Sequence, residues 1–434
     1  MSLPSSARIN GKRLWSTLDA SGEIGKGRPG GLCRLALTDS DKKIRDLFVK
    51  WCKEANLLVT VDRVGNIYGR RAGREDHLPP VMFGSHLDTQ ANGGRFDGIL
   101  GVLAGLELMR TLNDLKYTTR RPLEVVNWTN EEGSRFSPAM VASGAFAGRY
   151  EVDWVLARPG DDGPTLGEEL KRIGYAGTAP VGRPVDSYFE LHVEQGPILD
   201  EKKILIGVCT GAMYATGMLV EYRGETAHTG PWPMEKRRNA LLAGAQLLDA
   251  VDQIGWDHAD GGRATAARLV AWPNKPGILS DWAQAVVDVR HESAATERVM
   301  AERLRRAVFV AGAQSNCDAE ILDTWTWGGP IFDEGLNNMA RRLADESGHS
   351  RLDMLSISGH DSYFMARVCP TCMLFVPSRG GITHHNTELS VLEETEPGAN
   401  VFLHCVVAHA DRADASGRSE PSKAQREGEL AHTR

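Results

Sequence analysis

A chain of 434 residues, 41% hydrophobic and 25% charged, is long enough for two domains and composed like an ordinary globular enzyme. Its net charge of −7 and lack of a basic stripe argue against nucleic acid as a partner, and no apolar run is long enough to span a bilayer. Met1–Ser6 carries no apolar stretch behind a basic start and the seven cysteines form no disulfide framework, so no secretory leader is expected and the expected compartment is the cytoplasm.

In chain order, Ile44–Cys52 has the period of an amphipathic helix, and Leu57–Asp62 and Asn66–Arg70 read as a pair of strands. The apolar run Val81-Met82-Phe83 reads as a buried strand ending in Gly84-Ser85-His86-Leu87-Asp88-Thr89. A glycine-rich loop brings Asp97 just before a helix that opens Ile99-Leu100-Gly101-Val102. The strand Leu123–Trp128 ends in Thr129-Asn130-Glu131-Glu132-Gly133. Residues 151–185, polar and rich in Gly and Pro, read as surface connections before the strand Tyr188–His192, which runs on into Val193-Glu194-Gln195. This alternation predicts an α/β sandwich with a mostly parallel sheet.

The pattern changes near Gly211. Strands Met218–Gly224, Ala266–Ala271 and Ala285–Arg290, with helices near Arg238–Ile254 and Thr296–Ala311, predict an inserted α+β domain, two helices on a small antiparallel sheet. Its expected bounds are 212–328, between catalytic segments 1–211 and 329–410. The second catalytic segment resumes with a helix at Leu336–Glu346 and a strand Met373–Val376, followed by Thr383-His384-His385. The preceding Cys369-Pro370-Thr371-Cys372 has no companion pair and reads as two small core residues entering that strand. Residues 411–434 are charged and polar, composed like a disordered tail.

Open α/β sheets place ligands at the carboxyl ends of their strands. One histidine there is ordinarily structural. Four acid or imidazole clusters, each after an apolar strand, form the donor set of a divalent-metal hydrolase, in which one carboxylate can bridge two ions.

The motifs GSHLDT, GGRFDG, NWTNEEGSRF, LHVEQGP and VPSRGGITHH resemble, as a set, the M20 metallopeptidase superfamily. His192 points to its amidase (hydantoinase/carbamoylase) branch: N-carbamoyl-L-amino-acid hydrolases, β-ureidopropionases and allantoate or ureidoglycolate amidohydrolases. The resemblance covers about residues 10–410. It implies a metallopeptidase-like catalytic domain, with the inserted domain, on a four-stranded sheet, serving as lid and dimerisation module. It implies two divalent ions (Zn, Mn, Co or Ni), with Asp97 bridging, His86 and His192 on one ion, and Glu132 and His384 on the other. Glu131 becomes the general base, and Asp88 the carboxylate that orients His86. His228, within a segment similar to the family's HAGTTPM, is expected to reach a partner subunit's site and stabilise the oxyanion, which makes the protein a homodimer. Arg290 resembles the arginine that grips a substrate carboxylate, Gln195 and Arg237 fall at substrate-contacting positions, and His360-Asp361 matches a supporting segment.

The pocket departs from the family pattern. Gly277 stands where a substrate-binding asparagine is usual, and Pro231-Trp232 replaces Thr-Thr beside His228. The expected activity is hydrolysis of a linear amide, with N-carbamoyl-L-amino acids or N-carbamoyl-β-alanine as the leading substrates. A bulkier N-acyl or aryl amide, and allantoate or ureidoglycolate, are the alternative substrates. A binding module that has lost its chemistry is disfavoured, because Glu131 and all five ligand positions are retained.

Overall fold

The computed structural model describes residues 3–329 and 331–413. Among them, eleven strands join one sheet: β1 (Leu58–Val61), β2 (Ile67–Arg71), β3 (Val81–His86), β4 (Leu123–Trp128), β5 (Ser187–Val193), β6 (Ile206–Arg223), β7 (Gly262–Trp272), β8 (Trp282–His291), β9 (Asp318–Gly329), β10 (Arg351–Ser356) and β11 (Thr371–Val376). At the centre, β4, β3, β5 and β11 lie side by side and parallel. Antiparallel β2 and β1 extend one flank, and β6 runs antiparallel to β11 on the other. The result is a mixed α/β fold with a mostly parallel central sheet.

The four central strands are buried along their whole length, which is why they read as unbroken apolar runs rather than alternating ones. Helices Ile99–Asp114 and Leu392–Asp411 pack against them and share the largest apolar core. Because these strands run one way, their carboxyl ends (His86, Trp128, Val193 and Val376) lie along one edge.

β6 is 18 residues long and serves two neighbourhoods. Its first part pairs with β11 and β10, and its second with β8 and β9. The boundary expected between 211 and 212 therefore falls inside one strand. What changes there is the set of neighbours, with register shifts opposite β10 and β9. Antiparallel β9, β6, β8 and β7 carry helices Ala240–Asp257 and Ala294–Gln314 over a separate core that includes Met218, Tyr222, Leu247, Val287 and Leu304.

Residues 151–185 are more than connections. Helices Val152–Leu156 and Leu166–Ile173 form there, and the second is opened by a capping box in which Thr165 and Glu168 each bond the other's backbone amide. Asp411, expected to begin a tail, instead ends the last helix, accepting from the Tyr117 hydroxyl at 2.5 Å and the Arg120 amide at 2.7 Å. The rest of that expected tail, from 414, lies outside the described residues. No helix among the described residues is long and apolar enough to cross a membrane.

Candidate metal centre

The parallel strand ends bring two donor groups together around Asp97. His86, His192 and Asp97 form one, and Asp97, Glu132 and His384 the other. Asp97 Oδ1 lies 3.2 Å from His192 Nε2 and 3.7 Å from His86 Nε2, while its Oδ2 lies 3.3 Å from His384 Nε2. His384 Nε2 is also 3.3 Å from Glu132 Oε2. Glu131 belongs to neither group, although its Oε2 approaches His86 Nε2 to 3.4 Å.

The donor set fits divalent ions. His86 Nδ1 donates to the Asp88 carbonyl and His192 Nδ1 to the Val193 carbonyl, each at 2.9 Å, so both rings turn Nε2 toward Asp97. Asp88 was expected to orient His86 through its carboxylate. That group is 4.0 Å away, and the carbonyl of the same residue does the work. The Asp88 carboxylate instead accepts the amides of Glu131 and Glu132 at 3.4 and 3.3 Å.

The loop carrying Asp97 leaves little slack. At Gly98, φ is +67° and a Cβ would lie 2.2 Å from His86 Nε2. Glu388 accepts the amides of Phe96 and Asp97 at 2.7 and 3.0 Å, and a Cβ on Gly94 would collide with its carboxylate. The Thr383 hydroxyl lies between two carboxylates, 2.7 Å from Asp97 Oδ2 and 3.0 Å from Glu388 Oε2, with its one proton to share. Gln90 donates its amide and its side chain to the two oxygens of Glu132 at 3.1 and 2.7 Å. No periodicity marks Glu388, Thr383 or Gln90 in the sequence.

The electrostatics show a site built for positive charge. Burial alone would lower His192 and His384, yet the Asp97 carboxylate holds His192 up to about 9, and Glu132 with Asp97 holds His384 up to about 11. Burial opposes ionisation of Asp97, but those two imidazoles keep it well below the usual carboxylate range. Glu131 is pushed well above its ordinary value, first by burial and then by Asp361, Glu132, Asp88 and Asp97.

Residues 82–408 match the family model of peptidase family M20/M25/M40. The chain belongs to that family. An amidase of the hydantoinase/carbamoylase family from Burkholderia vietnamiensis shares its structure with a TM-score of 0.91 and 46% identity, covering 94% of this chain and all of that one. An N-carbamoyl-L-amino-acid amidohydrolase from Rhizobium meliloti is 39% identical over 93% of this chain and 97% of its own length. One from Geobacillus stearothermophilus is 32% identical over 92% of this chain and 98% of its own.

In this M20 member the remaining expected residues are placed unevenly. Gln195 donates to Asp97 Oδ2 at 2.7 Å, so its amide supports the centre itself, while its Oε1 is buried with no partner among the described residues. His360 stacks edge-on to His192 with ring centroids 4.5 Å apart, and its Nε2 is likewise unpartnered. Asp361 beside it accepts from Ser143. His385 turns away to Thr387. His228 is exposed, its Nδ1 accepting from the Gly230 amide, and its segment bridges to Ile278. Arg237 donates to the carbonyls of Thr229 and Trp232, and so closes that same loop rather than standing open for substrate. Gly277 has φ +85° and open space where a Cβ would be. Arg290 is held by Asp288 at 2.9 and 3.2 Å and donates to the Ile357 carbonyl at 2.8 Å.

Proposed function

We propose that this chain, a metal-dependent hydrolase of carbon–nitrogen bonds other than peptide bonds, uses two divalent ions to hydrolyse the ureido group of an N-carbamoyl amino acid. The carrying observation is Asp97, whose two oxygens face two separate histidine-containing donor groups while Glu131 stands beside them in neither. His86 and His192 would hold one ion, Glu132 and His384 the other, with Asp97 between. When bound, such ions supply Lewis-acid polarisation of the substrate carbonyl and a lowered pKa for the attacking water.

The chain supplies the rest. Glu131 takes the water's proton on its carboxylate and returns it to the leaving nitrogen, a role open to a carboxylate that stands beside both donor groups and belongs to neither. Asp88 fixes the peptide from which Glu131 and Glu132 project. Arg290 receives the substrate carboxylate, and His228, from a partner subunit of a homodimer, donates to the developing oxyanion. The ureide and one water give the free amine, carbon dioxide and ammonia. Seven unpaired cysteines accord with a cytoplasmic enzyme.

A second reading keeps the centre and changes the substrate to a bulkier acyl or aryl amide. It is favoured by the open space at Gly277 and by Trp232, 38% exposed, on the His228 loop. Metal-reconstituted enzyme assayed on N-carbamoyl-β-alanine, several N-carbamoyl-L-amino acids, allantoate, ureidoglycolate and acyl or aryl amides separates the two. Turnover of a carbamoyl amino acid is expected. Activity on acyl or aryl amides alone would give the second reading its place.

A further inference from the structure

Two arginines, Arg34 and Arg45, are completely buried beneath the strand ends. Arg45 is matched by Asp41 at 2.7 Å, and it also donates to the Gly65 carbonyl and the Thr129 hydroxyl. Arg34 forms no ion pair among the described residues. A guanidinium sealed from water with no carboxylate in contact is expensive to keep, and burial draws this one down to about 10 against the opposing charges of Asp41 and Asp88.

Arg34 ties the turn after His86 to the Ser21–Ile24 segment at the end of the first helix. Its Nε donates to the Leu87 carbonyl at 2.8 Å, and its Nη1 donates to the Ser21 carbonyl at 3.0 Å. Its main chain is stapled to the same turn: the Arg34 amide donates to the Thr89 hydroxyl, and the Thr89 amide to the Arg34 carbonyl, both at 2.9 Å. One residue thus grips both neighbours of Asp88. Asp88 in turn takes the His86 proton on its carbonyl and the Glu131 and Glu132 amides on its carboxylate.

We propose that Arg34 is a positioning residue for the hydrolysis: it locks the Leu87–Thr89 turn so that Asp88 orients His86 on one side and the Glu131–Glu132 peptide on the other. It acts through Asp88 and touches neither substrate nor ions. The kinetic consequence rests on the function proposed above; the structural consequence does not. Lysine at this position would keep the charge, but one ammonium cannot reproduce the planar fork that reaches Leu87 and Ser21 together.

The test is Arg34→Lys in the full, metal-loaded chain, read by kinetics on an N-carbamoyl amino acid and by site-resolved hydrogen exchange. The expected result is a kcat lowered about 10- to 100-fold, with KM within about twofold. Exchange should quicken at the amides of Thr89, Glu131 and Glu132 while the central sheet stays protected. Thr89→Val, which removes the hydroxyl acceptor and leaves the buried charge alone, should show the same local quickening, and it decides the matter if Arg34→Lys does not fold. A folded variant with unchanged kcat and unchanged exchange at those amides overturns the proposal. So does exchange that quickens evenly over the molecule with kcat per folded molecule intact, for Arg34 would then serve stability alone. If the wild type hydrolyses no carbamoyl compound, the functional reading fails and exchange at the three amides still decides the role of Arg34.

Discussion

The carboxylate of Asp88 lies against the backbone of Glu131, accepting its amide at 3.4 Å, and takes the next amide, that of Glu132, at 3.3 Å. Two adjacent glutamates are therefore presented from one fixed peptide, and their side chains part: Glu132 meets His384 at 3.3 Å, and Glu131 meets His86 at 3.4 Å. Of the two, Glu132 belongs to a donor group with Asp97 and His384. Glu131→Gln should accordingly keep its metal content by elemental analysis while kcat falls by about 10²- to 10⁴-fold. Metal lost along with activity would count Glu131 among the ligands, and near-wild-type turnover would remove it from proton transfer.

The segments that hold the five expected ligands are legible because a buried parallel strand advertises its carboxyl end, where an unbroken apolar run stops; which acid or histidine in each segment is the ligand is what the family resemblance implies. Glu388 has no such frame. It lies in an unpatterned loop, and its partners Phe96 and Asp97 are 292 and 291 positions away, a closure set by tertiary packing. Gln195 and Arg237 show how a polar residue can be found in the right segment while its partner is not, since one turns onto Asp97 and the other onto its own loop. The boundary near Gly211 marks a change of neighbours and not the end of an element, since β6 passes through it from β10 to β9. The helix Leu166–Ile173 was within reach of the sequence, because Thr165 and Glu168 carry the spacing of a capping box.

Metal removal should expose a pH dependence with a definite sign. In the free site His192 is held up to about 9 and His384 to about 11 by the carboxylates they face. Groups raised in the folded state stabilise fully below their ordinary value near ~6.5 and lose that contribution as pH climbs through the raised one. Chelator-treated protein should be inactive and should lose thermal stability steadily from about pH 6.5 to about pH 11. Metal binding needs neutral imidazoles, so the stability gap between loaded and chelated protein should widen over the same range. Melting curves with and without chelator check this, and a constant gap would show that the two histidines are uncharged in the metal-free protein.

His228 is exposed and bonded within its own loop, so its proposed work lies on a partner subunit. Mixing His228→Ala chains with Glu131→Gln chains under conditions of subunit exchange should then restore activity. Random pairing places one intact site in about half of the dimers, which is about a quarter of wild-type turnover. No recovery, with exchange confirmed by mass, would return His228 to a loop-capping role.

Arg290 reaches the neighbourhood of the centre already anchored. Asp288 holds Nε and Nη2, and Nη1 donates to the Ile357 carbonyl, three residues before His360, whose ring lies 4.5 Å from His192. A substrate carboxylate would share this pre-set fork with Asp288, a geometry that lysine cannot supply. Arg290→Lys should raise KM for an N-carbamoyl amino acid by about tenfold or more, with kcat changed less than about threefold. The control is a ureido compound without a carboxylate, a poor substrate for the wild type, which the variant should hydrolyse equally well. Equal losses on both compounds would assign Arg290 to holding the Ile357–His360 loop in place rather than to gripping the substrate.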